Sequence, residues 1–204
     1  MGYFNNLKRT SVIGSTLALS LLLSACSTTD GGGLGGTRFY SLTPVALGAV
    51  TNRTVANPNL RVGVGPIGMS RLLRRPQIIT RKSDTEIAMA EQHQWGGLLQ
   101  EDLSRTLTDN FSGLLGTENI EPYPWKFAFK PNYHVRIDID QLDGELGGIV
   151  TLKARWRLMK GREEIRIENT TLTQPVKGKD YNAYVQAQSE VLYKLSALIA
   201  KQMR

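Results

Sequence analysis

Tyr133, Val135, Ile137 and Ile139 alternate with His134, Arg136, Asp138 and Asp140, and the pattern returns as Val150, Leu152, Ala154, Trp156 and Leu158 against Thr151, Lys153, Arg155 and Arg157. A period of two sends successive side chains to opposite faces of a strand, so these runs predict a hairpin with one dry and one wet face, closed by the loop Asp143 to Gly148. Pairing Leu142 with Ile149 sets Asp138 opposite Lys153, an opposite-charge pair of the kind that stabilises a sheet. A third strand, Glu164 to Thr171, continues the meander after the turn at Lys160-Gly161. The dry face needs a cover.

Two stretches with a period of 3.6 supply it. Between Gln92 and Leu115 the residues Trp95, Leu98, Leu99, Leu103, Leu107, Phe111, Leu114 and Leu115 form one apolar stripe, with Gly116 suited to the C′ position. Gly96 and Gly97 fall in the first turns of this predicted helix, at a cost of about 1 kcal/mol each relative to Ala. A second helix starts at Asp180, a candidate N-cap, and turns Tyr184, Ala187, Val191, Leu195, Leu198 and Ile199 inward. Shorter strands are predicted at Arg38 to Leu42, Leu60 to Gly65, Gln77 to Lys82 and Glu86 to Ala90. The fold class expected is α+β, a mixed or antiparallel sheet covered on one face by two long helices.

Ahead of this domain lies a segment with a different logic. Lys8 and Arg9 precede a mostly apolar stretch from Ser11 to Leu23, followed by Leu23-Ser24-Ala25-Cys26, which contains the single cysteine of the chain. A positive start, a short apolar run and small residues at the cut form the layout of a secretory signal, and the run is too short to span a bilayer. The arrangement resembles the lipobox of bacterial lipoproteins. That resemblance implies removal of residues 1–25 and a diacylglyceryl group on Cys26. Ser27, where an aspartate would favour inner-membrane retention by enterobacterial rules, points to the outer membrane, with the domain on its periplasmic face. Residues 26–37 read as the lipidated cysteine and a Gly-rich tether; the eleven residues from Ser27 to Thr37 reach at most about 38 Å. Residues 38–204 form the folded domain.

Composition narrows the function. The chain has 25 basic and 18 acidic residues, and without Lys8 and Arg9 the balance is 23 against 18, a net charge of +5. These charges are interspersed, whereas nucleic-acid binding concentrates them on one face or groove, so no nucleic-acid partner is expected. With Cys26 lipidated, no thiol remains for a disulfide, a metal or a nucleophile. His93 and His134 are the two histidines, and neither stands in a metal-site spacing. No serine sits in a nucleophile motif, so neither catalysis nor a cofactor or metal is expected. Gly63-Val64-Gly65-Pro66-Ile67-Gly68 matches G-x-G-x-x-G, yet Pro66 removes a backbone donor that a phosphate loop needs and no helix follows, so the glycines read as strand-end turns. Met69 to Pro76, MSRLLRRP, mixes Leu72 and Leu73 with Arg71, Arg74 and Arg75 and reads equally as a candidate partner surface at Leu72, Leu73, Arg74 and Arg75 or as a loop whose leucines tuck into the core while the arginines are solvated. The aromatic stretch Pro122 to Phe127 reads as packing between helix and sheet.

Phe39-Tyr40-Ser41-Leu42, Arg75-Pro76-Gln77-Ile78-Ile79-Thr80-Arg81, Trp95, Asp143-Gly144, Ala154-Arg155-Trp156 and the closing Tyr-rich helix occur in an order that resembles the ABC-type transport auxiliary lipoproteins, the group that includes paraquat-inducible protein C. The sequence departs from relatives at Leu72 and Arg74, where tyrosine and aspartate are frequent, and at Gly96-Gly97-Leu98, where Ala-Glu-Pro is more usual. The resemblance implies a non-enzymatic subunit of a transenvelope lipid-trafficking system that works beside periplasmic MCE-domain proteins and inner-membrane permease or ATPase components and helps to maintain outer-membrane integrity. A homo-oligomeric ring is conceivable on the same grounds. The alternative is a periplasmic lipid carrier with an apolar cavity between sheet and helices; a periplasmic hydrolase is a weaker third.

Overall fold

The predicted hairpin is the centre of the domain. In a computed structural model of the protein, which describes residues 36–45 and 58–203, β6 (Tyr133–Gly144) and β7 (Ile149–Lys160) pair antiparallel, and β8 (Glu163–Pro175) extends the meander. On the other side of β6 lie β2 (Val62–Met69) and then β5 (Ile120–Pro122), both parallel to their neighbours, which gives a mixed five-stranded sheet ordered β5-β2-β6-β7-β8. A second sheet has the order β1-β4-β3, from β1 (Arg38–Tyr40), β3 (Gln77–Arg81) and β4 (Ile87–Trp95). Helices α1 (Leu99–Leu115) and α2 (Tyr181–Ala200) pack on each other and on the five-stranded sheet. The described residues from Thr37 onward form one compact unit. The class is α+β, as expected, with the strands divided between two sheets.

The core is the meeting of dry face and helices. Val135, Ile137, Ile139, Leu152, Trp156 and Leu158 from the sheet and Leu103, Leu107, Phe111, Val191, Leu192 and Leu195 from the helices have essentially no solvent exposure. The Trp156 indole satisfies its N–H by donating to Thr170 Oγ1 at 2.9 Å. Asp180 caps α2, its side chain accepting from Ala183 N at 2.8 Å, and Gly116 closes α1 in the left-handed conformation with φ 62°.

The predicted register of the hairpin is corrected. Asp140 bulges out between the pairs Ile139–Ala154 and Gln141–Lys153, so Asp138 faces Arg155 instead of Lys153, and Leu142 faces Leu152 instead of Ile149. The strand continues through Gly144, leaving a turn of residues 145–148 rather than the longer loop expected from Asp143. A bulge inserts one unpaired residue, and alternation alone cannot place it, because both registers keep the same side chains dry.

The start of the first helix also differs. Residues 92–95 belong to β4, where Arg38, Phe39 and Tyr40 pair with His93, Gln94 and Trp95, and the helix begins only after Gly96-Gly97. Trp95 is buried as the last residue of a strand instead of opening the helix. Its backbone N–H donates to Pro76 O at 2.8 Å, so long-range pairing outweighs helical periodicity in this stretch. The glycines of the G-x-G-x-x-G segment lie inside β2 rather than at its end, around a bulge between Val64 and Ile67 with a cis Gly65-Pro66 bond.

Candidate functional site

Cys26 and Ser27 lie outside the described residues. Of the candidate partner residues, Leu72 and Leu73 start a single 3-10 turn, Leu72–Arg74. Leu73 is buried in the core at 4% exposure and Leu72 is half-buried, whereas Arg74 and Arg75 are exposed. Arg74 Nη2 reaches back to Met69 O at 3.4 Å. The two arginines are therefore the part of this stretch that a partner can touch.

A more open apolar surface lies elsewhere. A groove of about 650 Å³ runs between β2 and the first turns of α1, with Val64, Pro66 and Ile67 on one wall, Leu98 and Ser104 on the other, and Pro122, Tyr123 and Pro124 at the rim. Leu98 is 66% exposed, Tyr123 53% and the neighbouring Phe127 fully exposed. The aromatic stretch thus does not fill a gap between helix and sheet, as its composition suggested. Only Trp125 is tucked in, edge-on to Tyr123 and lying over Gly63, where a Cβ would crowd the indole. β5 covers β2 only at Val62 to Val64; beyond that point Gln100 Nε2 donates to Ile67 O at 2.8 Å. The strand edge facing the groove is thereby occupied by a helix side chain, so the groove offers side chains rather than a free edge for strand addition.

The stretches that carry the family resemblance prove to be structural joints. Phe39-Tyr40 enters β1, and Ser41 and Leu42 are clasped by α1: Asp102 Oδ2 accepts from Leu42 N at 2.7 Å and Arg105 Nη2 donates to Leu42 O at 2.8 Å. Arg81, at the end of β3, donates from Nε to Asp143 Oδ1 at 2.7 Å, joining the two sheets, and this hydrogen bond raises the arginine pKa. Beside it the Tyr184 hydroxyl from α2 accepts from Gly144 N at 2.8 Å and donates to Ile79 O at 2.9 Å. Burial pushes the Tyr184 phenol well above its ordinary value, so the hydroxyl keeps its proton for that bond.

The two histidines stand in separate settings. His93 Nδ1 is 2.7 Å from the Tyr40 hydroxyl, and its ring stacks on Tyr181 at 3.8 Å. Burial, and then the charge of Arg38, lowers its pKa. His134 lies beside Trp125, and burial followed by the charge of Arg136 lowers its pKa too. Among the described residues no three His, Cys, Asp or Glu side chains gather as a metal site would require, and no helix is long and apolar enough to cross a membrane.

What the fold presents, then, is a small two-sheet α+β module with an apolar groove and charged sheet residues on its surface. Its sequence matches the family described as ABC-type transport auxiliary lipoprotein component over residues 40–200, and the chain belongs to that family. No curated protein matches it in sequence. Two solved structures share the fold. One, described only as an uncharacterized protein, is 17% identical with a TM-score of 0.68 over 83% of this chain and 99% of its own. The other, protein XCC0632 from Xanthomonas campestris, is 13% identical with a TM-score of 0.60 over 84% and 94%.

Proposed function

We propose that this protein is a non-enzymatic, periplasm-facing lipoprotein of the outer membrane, attached through acylated Cys26, that docks the MCE-domain assembly of a transenvelope lipid transport system and so supports membrane integrity. Membership of a transport-auxiliary lipoprotein family supports the general role. The observation that carries the docking reading is the groove with Leu98 and Tyr123 turned to solvent. Interfaces concentrate their energy in a few aromatic and apolar anchors of this kind. Arg74 and Arg75 offer a second, charged contact. The carrier alternative is less well supported, because the space it would hollow out between sheet and helices is occupied by Phe111, Leu107, Leu152 and Trp156, all fully buried. In this reading the MCE-domain protein is the direct partner, the inner-membrane permease and ATPase components belong to the same system, and copies of the chain can surround the partner as a ring.

The test is capture of the MCE-domain protein from solubilised envelopes by two double variants, Leu98→Ser with Tyr123→Ser, and Arg74→Glu with Arg75→Glu. Leu98 holds the N-cap position of α1 without a side-chain cap, and serine is favoured there, so the first variant should keep its helix. Loss of capture by the first variant at an unchanged melting temperature supports the groove; loss by the second alone moves the contact to the arginines. Undiminished capture by both would sink the docking surface proposed here.

A further inference from the structure

The face of the five-stranded sheet away from the helices holds an electrostatic arrangement that the docking reading does not use. The β6–β7 ladder sets Arg136 directly opposite Arg157, and Asp138 opposite Arg155. Like charges in facing positions destabilise a sheet. The obvious relief would be an ion pair between Asp138 and Arg155, and it is not made. The Asp138 carboxylate lies over Gly68 of β2, in the space a side chain would otherwise fill, since a Cβ there would collide with Asp138 Oδ1. Among the described residues Arg136 and Arg155 have no ion pair, and Arg157 pairs with Glu164, its Nε lying 2.9 Å from Oε2. Arg136, Arg155 and Arg157, with Asp138, line a concavity of about 290 Å³.

We propose that this concavity binds a phosphate group, the chemistry shared by phospholipid headgroups and soluble phosphate esters. Three arginines line it against one carboxylate, which lies over Gly68. Guanidinium presents paired N–H donors in the fork that phosphate oxygens match, and charge-assisted bonds of this type are the strong ones. A bound phosphate would neutralise the facing Arg136 and Arg157 charges, which accounts for keeping them in a position that otherwise costs stability. The size suits one anionic group rather than the length of an acidic peptide. The role of Gly68 follows: by accommodating the Asp138 carboxylate it lets Asp138 stand at the site without an ion pair to Arg155. This inference stands independently of the groove and of any partner docked on it.

The experiment titrates glycerol 3-phosphate, and separately phosphatidylglycerol in nanodiscs, onto the purified full-length protein while arginine Nε–H resonances are followed by NMR. Expected are shifts of the Arg136, Arg155 and Arg157 signals, affinity weakened about tenfold by Arg136→Ala or Arg155→Ala, and affinity raised by Asp138→Asn. Arg155→Lys, which retains the charge and loses the fork, should fall between. Because these side chains sit on the solvent face, the variants should melt at or above the parent temperature, with Arg136→Ala relieving the like-charge pair. Tighter binding of the nanodisc than of glycerol 3-phosphate at equal phosphate concentration assigns the lipid headgroup; equal or weaker nanodisc binding assigns a soluble phosphate ester. No arginine shift with either probe, or equal affinity across folded variants, would overturn the site.

Discussion

Tyr184→Phe should destabilise the domain by about 2 kcal/mol, although it deletes one oxygen atom and no apolar surface. The magnitude follows from what that oxygen holds together. Its hydroxyl accepts from Gly144 N of β6 at 2.8 Å and donates to Ile79 O of β3 at 2.9 Å, so one atom on α2 ties both sheets at a point with no solvent exposure. Removing it leaves the Gly144 N–H buried without an acceptor, a loss of about 1–3 kcal/mol, while the Ile79 carbonyl with its two lone pairs is less sensitive. For a domain of this size each kcal/mol moves the melting temperature by roughly 2–4 °C, so a drop of about 4–8 °C is expected by circular dichroism. The same free energy should speed amide exchange at Gly144 by roughly 30-fold. A melting temperature within about 1 °C of the parent, together with unchanged exchange at Gly144, would refute the reasoning that this hydroxyl joins the sheets.

Other outcomes follow from the anchor and the histidines. Cys26→Ala should release the protein from the membrane fraction, since each buried methylene of an acyl chain contributes about 0.8 kcal/mol and the polar tether offers no substitute; retention after a high-salt wash would show another attachment. Ser27→Asp should shift fractionation toward the inner membrane, and an unchanged distribution would exclude enterobacterial sorting rules. The pKa values of His93 and His134 are lowered by folding, chiefly through burial, so near pH 6.5 the unfolded chain binds more protons than the folded one. Stability should therefore decline as pH falls through about 6.5 and be level above it. A His93→Gln, His134→Gln variant should show a smaller loss between pH 7.5 and 5.5 than the parent, measured as the change in melting temperature; an equal loss would assign the acid sensitivity to other groups.

Along the chain, the readable parts were those in which a residue's neighbours in sequence are also its neighbours in structure. The alternation of β6 and β7 fixed which side chains are dry, since period two is a property of an extended backbone whatever it pairs with. The apolar stripe from Leu99 to Leu115, the left-handed stop at Gly116 and the Asp180 cap are likewise local, and all occur as expected. Signal and lipobox are local too, and they remain the basis for the proposed anchor at Cys26. Three-dimensional pairing decided the rest. Residues 92–95 carry a helical stripe but are captured by β1, which lies more than fifty residues earlier, and no local pattern announces that partner. The bulge at Asp140 moved Asp138 from Lys153 to Arg155, and Gly68, distant in sequence, accommodates its carboxylate. Leu73 entered the core while Leu98 was left in water, although both are leucines beside polar residues. Burial and charge pairing depend on contacts between segments far apart in the chain, which is why the family and the layers could be read from the sequence, whereas the open groove and the arginine concavity emerged only when the strands were set side by side.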